Sequence, residues 1–431
     1  MKASWLGSLL TCLVVFCSVA ASASDTTRVV KSPLTPDADN AGLTLQKGFG
    51  AIVVAPEVGR ARHIAVSSTG DIYVKLERLR NGNGILVLRE DGNGKGKIVD
   101  SFGNFIGTGI AIKNGYLYAS SNDDVFRYKL NDKNQVVDRA HPEKIISGLI
   151  NRRQHESKSI ALDNAGNIYV NIGAPSNSCQ MQDRAVGSMG MDPCPILDSA
   201  AAIWQFKADK QNQTYADGVR YCTGIRNIVG LDWNNDVNEL YAMQHGRDDL
   251  FRMFPKYYDS VQSAELPAEE FLLVKKGSNF GWPYCYFDQQ QGNKVLAPEY
   301  GGDGKRVDRC AGMDKPLIGF PGHWAPNGLL FYTGNMFPEK YKHGAFIAFH
   351  GSWNRAPLRQ AGYNVVFVPM KDGKPSGQWE IFADGFAGVE RINSTRDAQH
   401  RPCGLAQAPD GSIYITDDVK GTIYKIIYTG K

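Results

Sequence analysis

The sequence predicts an all-β architecture of repeated four-stranded blades, and three observations carry that expectation. Six segments share one pattern: a small or branched apolar start, a turn with Gly, Asn or Asp, then an apolar stretch ending in Tyr or Phe. The alternation within each segment is that of a β-hairpin. Forty-six glycines and twenty prolines punctuate short apolar runs, as many tight turns require, and no long amphipathic helical stretch interrupts them.

The segments are residues 62–74 (RHIAVSSTGDIYV), 109–120 (GIAIKNGYLYAS), 159–170 (SIALDNAGNIYV), 230–243, 328–349 and 404–416 (GLAQAPDGSIYIT). Six such units, each extended to four antiparallel strands, predict a six-bladed β-propeller occupying residues 41–431 as a single domain. A strand-like run at 43–55 precedes the first unit. It is expected to complete the last blade beside residues 404–428, which removes exposed sheet edges. The loops at 173–200, 245–271 and 281–323 are long, and long loops on a rigid repeat scaffold commonly carry function. The stretch PAEEF at 267–271 could start only a short helix.

Residues 1–23 read as a secretory signal: Lys2, an apolar run over 9–21, then Ala21-Ser22-Ala23 as a small-residue cleavage site. Residues 24–40 (SDTTRVVKSPLTPDADN) read as a flexible leader. The mature chain is therefore expected to be secreted or periplasmic, without an integral membrane segment, in a compartment that permits disulfides. Six cysteines lie beyond the signal. Cys179 with Cys194, and Cys285 with Cys310, would each close one irregular loop, whereas Cys222 and Cys403 occupy matching places in two repeats and either pair or stay free. Sequence does not fix that connectivity. No C-x-x-C-H is present, so covalent haem is not expected and any electron carrier must be separate. Without Lys2 the chain has 47 basic and 44 acidic residues and no long run of one sign, which argues against nucleic acid as a partner.

In a propeller the residues just before each innermost strand converge on the mouth of the central channel. By that placement Arg62, His155, Arg226, Asn227 and Arg401 face a shared cavity. Arg around a single His suits an anionic cofactor or substrate, and His155 suits a general base; the plainer reading is that these side chains cap strands and neutralise acids. His245-Gly246-Arg247-Asp248 follows the fourth repeat at the same level and offers carbonyl and carboxylate oxygens to a hard cation such as Ca²⁺, against a solvated turn. The segment at 91–96 (DGNGKG) reads as a hairpin turn, because Lys95 stands where a calcium loop needs an oxygen. The segment at 277–283 reads as structural, with Trp282 filling space between blades. Trp324 and Trp353 each lie close to a His, where an aromatic face serves a flat cofactor, a sugar ring or the core.

Together, Gly224-Ile225-Arg226-Asn227, His245-Gly246-Arg247-Asp248, Asn279-Phe280-Gly281-Trp282-Pro283, His323-Trp324-Ala325-Pro326, His350-Gly351-Ser352-Trp353-Asn354-Arg355 and Arg401-Pro402-Cys403-Gly404 resemble the glucose/sorbosone dehydrogenase family, most nearly its L-sorbosone dehydrogenase branch. The likeness runs in order over nearly all of the mature chain. It implies pyrroloquinoline quinone (PQQ) at the channel mouth, Ca²⁺ polarising the quinone, a sugar or sugar-derived aldehyde as substrate, and an external electron acceptor, either a cytochrome or a quinone. His155 matches the base that takes the sugar hydroxyl proton while hydride passes to the quinone. Arg226 and Asn227 match residues that hold the quinone oxygens, and Arg401 resembles one that holds a cofactor carboxylate. Lys158, Arg355, Trp324 and His245 are further expected cofactor contacts. The backbone carbonyls of Gly246 and Arg247, with Asp248, are the expected calcium ligands. Two positions depart from the family pattern: Ala174 replaces an Asp near the catalytic His, and Arg247 replaces a Pro. These departures motivate a non-catalytic carbohydrate- or protein-binding propeller as an alternative. A Ca²⁺-dependent lactonase-type hydrolase is a second, although the blade entrances offer Arg, His and Asn where a hydrolase needs several acids.

Overall fold

The computed structural model describes residues 1–3 and 32–430. The expected secretory signal, apart from its first three residues, and the first part of the expected leader lie outside the described residues. Antiparallel pairing assembles six blade sheets, one per repeat, in chain order, together with two two-stranded ribbons, Cys285–Asp288 with Asn293–Leu296 and Met370–Lys371 with Lys374–Pro375. The innermost strands are Ala61–Val66, Ile110–Lys113, Ile160–Leu162, Ile228–Asn234, Pro326–Phe331 and Pro402–Gln407, and all six contribute to the wall of one channel. The fold is the predicted six-bladed propeller.

One register recurs in the hairpins. An apolar residue of the innermost strand lies opposite the aromatic that marks the repeat: Ala65 opposite Tyr73, Ala111 opposite Tyr118, Ala161 opposite Tyr169, Leu330 opposite Phe346 and Ala406 opposite Tyr414. All five aromatics are buried. Several tyrosine hydroxyls then reach the next blade. Tyr73 donates to the Asn134 carbonyl, Tyr118 to that of Ala208, Tyr241 to that of Gly373 and Tyr332 to that of Gly411, while Tyr414 donates to the Glu90 carboxylate and so ties blade six to blade one. The ring fills the gap between sheets and the hydroxyl finds a partner beyond it, each bond contributing about 1 kcal/mol net.

Closure follows the expectation and refines it. Phe49–Ala55 pairs with Ile423–Tyr428 and completes blade six. The run at 43–55 is nevertheless two strands, because a turn at Lys47 and Gly48 diverts the chain. Thr44–Leu45 pairs with Glu380–Asp384 as a fifth strand on blade five. Residues 32–40 of the expected leader lie against blade six: Ser32 N–H donates to the Tyr428 carbonyl at 3.0 Å, and Asp37 accepts from Val53 N–H at 2.8 Å.

The PAEEF stretch enters a strand rather than a helix. Glu269–Val274 is the third strand of blade four, and the α-helices among the described residues are the short Leu250–Met253 and Ser260–Glu265. No helix there is long and apolar enough to cross a membrane. Asp91 closes a hairpin turn between Asn83–Glu90 and Gly96–Phe102, accepting from the N–H groups of Asn93 and Lys95. Cys179 is bonded to Cys194 and Cys285 to Cys310, while Cys222 and Cys403 stay free and buried in blades three and six.

Candidate active site

Antiparallel pairing decides which loops meet. The start of one strand and the end of the next share one end of the sheet, as Ile228 lies opposite Gln244 and Pro326 opposite Phe349. Residues before the innermost strands and after the second strands therefore gather at one mouth of the channel. A cavity of about 450 Å³ lies there. Blade three brings Gln154 and His155, blade four brings Arg226, His245, Gly246, Asp248 and Glu269, and the approach to blade five and its second strand bring His323, Ala325, Trp353 and Asn354; the 173–200 loop adds Arg184.

His155 is fixed by backbone. Its Nδ1 lies 2.5 Å from the Ala174 carbonyl, and a carbonyl only accepts, so Nδ1 carries the proton. Nε2 keeps its lone pair and has no protein partner among the described residues. Burial, assisted by the Arg226 cation, pushes the imidazole pKa down to about 3, which keeps it neutral. Ala174 is itself pinned by its N–H to the Arg226 carbonyl at 2.8 Å. Gly173 permits the approach: a Cβ there would meet Asn227 Oδ1 and His155 Cβ, both at 2.6 Å. His155 has φ of +53°, a left-handed conformation that a non-glycine residue holds only when its surroundings impose it. Ala174 has no side-chain acceptor, and it is its backbone carbonyl that orients His155.

Two arginines and one carboxylate make the charged wall. Asp248 accepts from Arg226 Nη2 at 2.7 Å and from Arg184 Nη2 at 2.8 Å, and its other oxygen accepts from Asn354 Nδ2 at 3.0 Å. Burial opposes ionisation, but Arg226, His323 and Arg184 hold Asp248 well below the usual carboxylate range. Arg226 also donates to the Gly246 carbonyl at 2.9 Å and to Asn177. Glu269 lies behind them. It accepts from Gly246 N–H at 3.0 Å and Ala325 N–H at 3.1 Å, and burial raises its pKa to about 7. His245, pushed down to about 4 by burial, sits 3.1 Å from the Pro326 carbonyl through Nε2.

Of the expected site residues, the cavity gathers His155, Arg226, His245, Gly246 and Asp248. Asn227 packs just behind, against Gly173, and its carbonyl holds His245 N–H at 3.0 Å. The others are turned elsewhere. Lys158 is fully buried, and its ammonium donates to the Glu156 carbonyl at 2.7 Å. Arg355 spends its fork on Glu265 and on the carbonyls of Ala264 and Gly322. Arg401 donates to the carbonyls of His350 and Gly351, and Arg62 pairs with Asp418 at 2.8 Å. Trp324 packs edge-on against Phe349 and Trp379 in the core, whereas Trp353, 55% exposed, stands on the cavity rim. Arg247 points away from the cavity to a buried Glu299, 2.6 Å from both of its oxygens, and Ser178 binds the same carboxylate. Arg247 therefore joins the 245–271 loop to Glu299 of the 281–323 loop, and Ser178 ties the 173–200 loop to the same carboxylate. Trp282 is buried as expected, its indole N–H donating to the Asn177 carbonyl.

Sequence reasoning missed Arg184, Asn354 and Glu269. For Glu269 a signal existed: two adjacent acids, Glu269 and Glu270, inside an otherwise apolar strand that is buried throughout most of its length.

The wall fits a flat polyanion, since Arg184 and Arg226 supply guanidinium donors, His155 and His245 are neutral, and Trp353 offers an aromatic plane. For a hard cation the donors that fit are oxygens on the same wall. Asn354 Oδ1, buried without a hydrogen-bond partner, is one; the Gly246 carbonyl lies on the same wall but already accepts from Arg226 Nη1 at 2.9 Å. Asp248 fits less well because both of its oxygens are already engaged. No group of three or more His, Cys, Asp or Glu among the described residues could hold a metal by itself, so a cation here would need further oxygens from a bound ligand or water.

A pyrroloquinoline quinone-dependent pyranose dehydrogenase of Coprinopsis cinerea is 25% identical over 276 residues, which cover 56% of this chain but only 37% of that one. A pyrroloquinoline quinone-dependent sugar dehydrogenase of Hypocrea jecorina is 23% identical over 337 residues, 74% of this chain and 73% of that protein. The calcium structure of a Trichoderma reesei carbohydrate-active enzyme of family AA12 superposes with a TM-score of 0.73 at 20% identity, over 90% of this chain and 97% of that one. The TrAA12-like family model matches residues 43–429, and with blades and channel mouth falling inside those bounds, the chain belongs to the TrAA12-like family.

Proposed function

We propose that this protein is a PQQ- and Ca²⁺-dependent dehydrogenase, secreted or periplasmic, that oxidises a sugar or sugar-derived aldehyde. The observation that carries the reading is His155: a neutral imidazole, oriented by the Ala174 carbonyl, with Nε2 unpartnered beside two arginines in one cavity. Similarity to a PQQ-dependent pyranose dehydrogenase and a PQQ-dependent sugar dehydrogenase supports the same class of chemistry.

Bound PQQ would supply the two-electron acceptor that no protein side chain provides. Arg184 and Arg226 would hold its anionic oxygens, and the Gly246 carbonyl and Asn354 Oδ1 would contribute to Ca²⁺. His155 Nε2 takes the proton of the substrate hydroxyl, and the Nδ1–H bond to Ala174 stabilises the imidazolium that forms. Such a positioned base contributes about 100- to 10,000-fold. Trp353 gives a sugar ring an apolar face at the rim. The substrate candidates are pyranoses, other aldoses and sorbosone.

The test is titration of the calcium-loaded mature protein with PQQ, followed by absorbance, with aldoses and sorbosone added afterwards. Stoichiometric binding and substrate-driven bleaching of the cofactor are expected, and the sugar that gives the highest kcat/KM names the substrate. Absence of binding at micromolar PQQ would sink the reading and leave a propeller that binds without redox turnover.

A further inference from the structure

The proposed base and the buried arginine beside it hang from one chain of hydrogen bonds that begins outside the cavity. His155 Nδ1 donates to the Ala174 carbonyl, Ala174 N–H to the Arg226 carbonyl, and Arg226 N–H to Gln244 Oε1 at 2.9 Å. The Gln244 amide nitrogen donates in turn to Glu270 at 2.7 Å, whose other oxygen accepts from Lys294 Nζ at 2.6 Å. Lys294 also donates to the Phe280 carbonyl at 2.8 Å. Gln244 and Glu270 lie opposite each other on the second and third strands of blade four, and Lys294 comes from the ribbon strand Asn293–Leu296 in the 281–323 loop. All three are buried, and none of them lines the cavity.

Burying an ammonium and a carboxylate is costly, and apolar side chains of the same size are often as good for stability or better. The pair has a second use here. The two ends of a Gln amide have nearly the same shape, and the neighbours decide which way it points. An ionised Glu270 only accepts, so it takes the amide nitrogen and turns Oε1 to the Arg226 N–H. Burial favours the neutral acid, and the Lys294 ammonium favours the carboxylate.

We propose that Gln244, aimed by the Glu270–Lys294 pair, is a positioning residue that sets both His155 and Arg226. Its effect on turnover rests on the PQQ-dependent reading. Without the Gln244 acceptor a buried Arg226 N–H is left unpaired, and residue 226 shifts to find another partner. Its carbonyl then no longer fixes Ala174. Its guanidinium no longer meets Asp248, Asn177 and the Gly246 carbonyl in one place. A displacement of about 1 Å at such a site costs up to about 100-fold in rate.

The experiment compares Gln244→Met, the double variants Lys294→Met/Glu270→Gln and Lys294→Met/Glu270→Leu, and Tyr241→Phe. Both double variants remove the buried charges, so neither strands an unpaired ion, but only Gln at position 270 can still accept from Gln244. Tyr241→Phe removes the tether to the Gly373 carbonyl from the same strand and is the structural control. In the cofactor-free protein, NMR of the histidine ring nitrogens follows the Nδ1–H of His155, identified by its loss in His155→Ala. In the PQQ- and Ca²⁺-loaded protein, dye reduction gives kcat and KM. Gln244→Met and the Leu double variant are expected to broaden or lose that resonance and to lower kcat about 10- to 100-fold, with KM for the sugar within about twofold. The Gln double variant is expected to keep the resonance and most of kcat. Tyr241→Phe should lower Tm and move neither readout. An unchanged resonance and kcat in Gln244→Met, or folded Gln and Leu double variants that behave alike, would overturn the positioning role. Absence of dye reduction in the wild type would overturn the PQQ reading, and the resonance would still decide whether Gln244 holds His155.

Discussion

Under the proposed function the chemistry depends on how His155 is held, through its one hydrogen bond to the Ala174 carbonyl. Replacing the histidine with Ala should lower quinone-dependent dye reduction by about 100- to 10,000-fold with little change in PQQ affinity by absorbance titration, because the arginines remain. Its depressed pKa has a sign that can be checked. As the proposed base, His155 would act as the neutral imidazole, and burial beside Arg226 moves its protonation from the ordinary 6.5 down to about 3. The acid limb of the kcat/KM profile due to this base should therefore lie far below 6.5; a limb at 6.5 would mean that the base is less buried than the structure has it. Gly173→Ala is the most local test of positioning. A new methyl would press on Asn227 and His155 Cβ at 2.6 Å, and overpacking of this kind costs about 1–3 kcal/mol. Turnover should drop with a modest fall in Tm, and cofactor affinity should suffer less than kcat. At this scale His155, Arg226 and His245 were legible because they adjoin repeats whose strands are unmistakable. Lys158, Arg355 and Trp324 were not, since long side chains can leave the same backbone position in several directions, and only packing selects one.

The element that matters most for the site is the 173–200 loop, which brings Arg184 to the cavity and sets Ala174 against His155 and Asn177 against Arg226. The Cys179–Cys194 disulfide closes it with a separation of 15 residues, and Arg247 clamps it through Glu299 and Ser178. Replacing both cysteines with Ser should cost about 3 kcal/mol, the loop-closure value for this length. It should also weaken PQQ binding measured by titration, because Arg184 loses its anchorage. Unchanged affinity would show that Arg226 alone holds the cofactor. The pairing was open to sequence only as one arrangement among several, because spacing does not say which cysteines approach. The strand Glu269–Val274 was misjudged in a different way: Pro followed by acidic residues is a helix-start signal, and the ladder with Glu239–Gln244 overrides it.

Across the whole molecule, the blades hold one another through tyrosines and through the closing strand. Removing residues 1–55 would strip Phe49–Ala55 from blade six and leave Ile423–Tyr428 as an open edge. Such a truncation should lose cooperative unfolding in calorimetry and aggregate, even though every residue of the cavity wall is still present. A soluble, cooperatively folded product would mean that the tyrosine tethers suffice.

The hairpin alternation, the recurrent Tyr and the order of the motifs determined the six-bladed propeller by themselves, because period-two patterning and turn residues are local properties that each repeat states anew. The closing strand was legible for the same reason, as its apolar run needs a partner and the last repeat lacks one. Which side chains share the cavity was decided only by tertiary structure. Arg184, Glu269 and Asn354 reach it from a loop, a third strand and a second loop that are far apart in sequence, and the direction of each is set by ion pairs and hydrogen bonds that exist only once the blades have closed the ring.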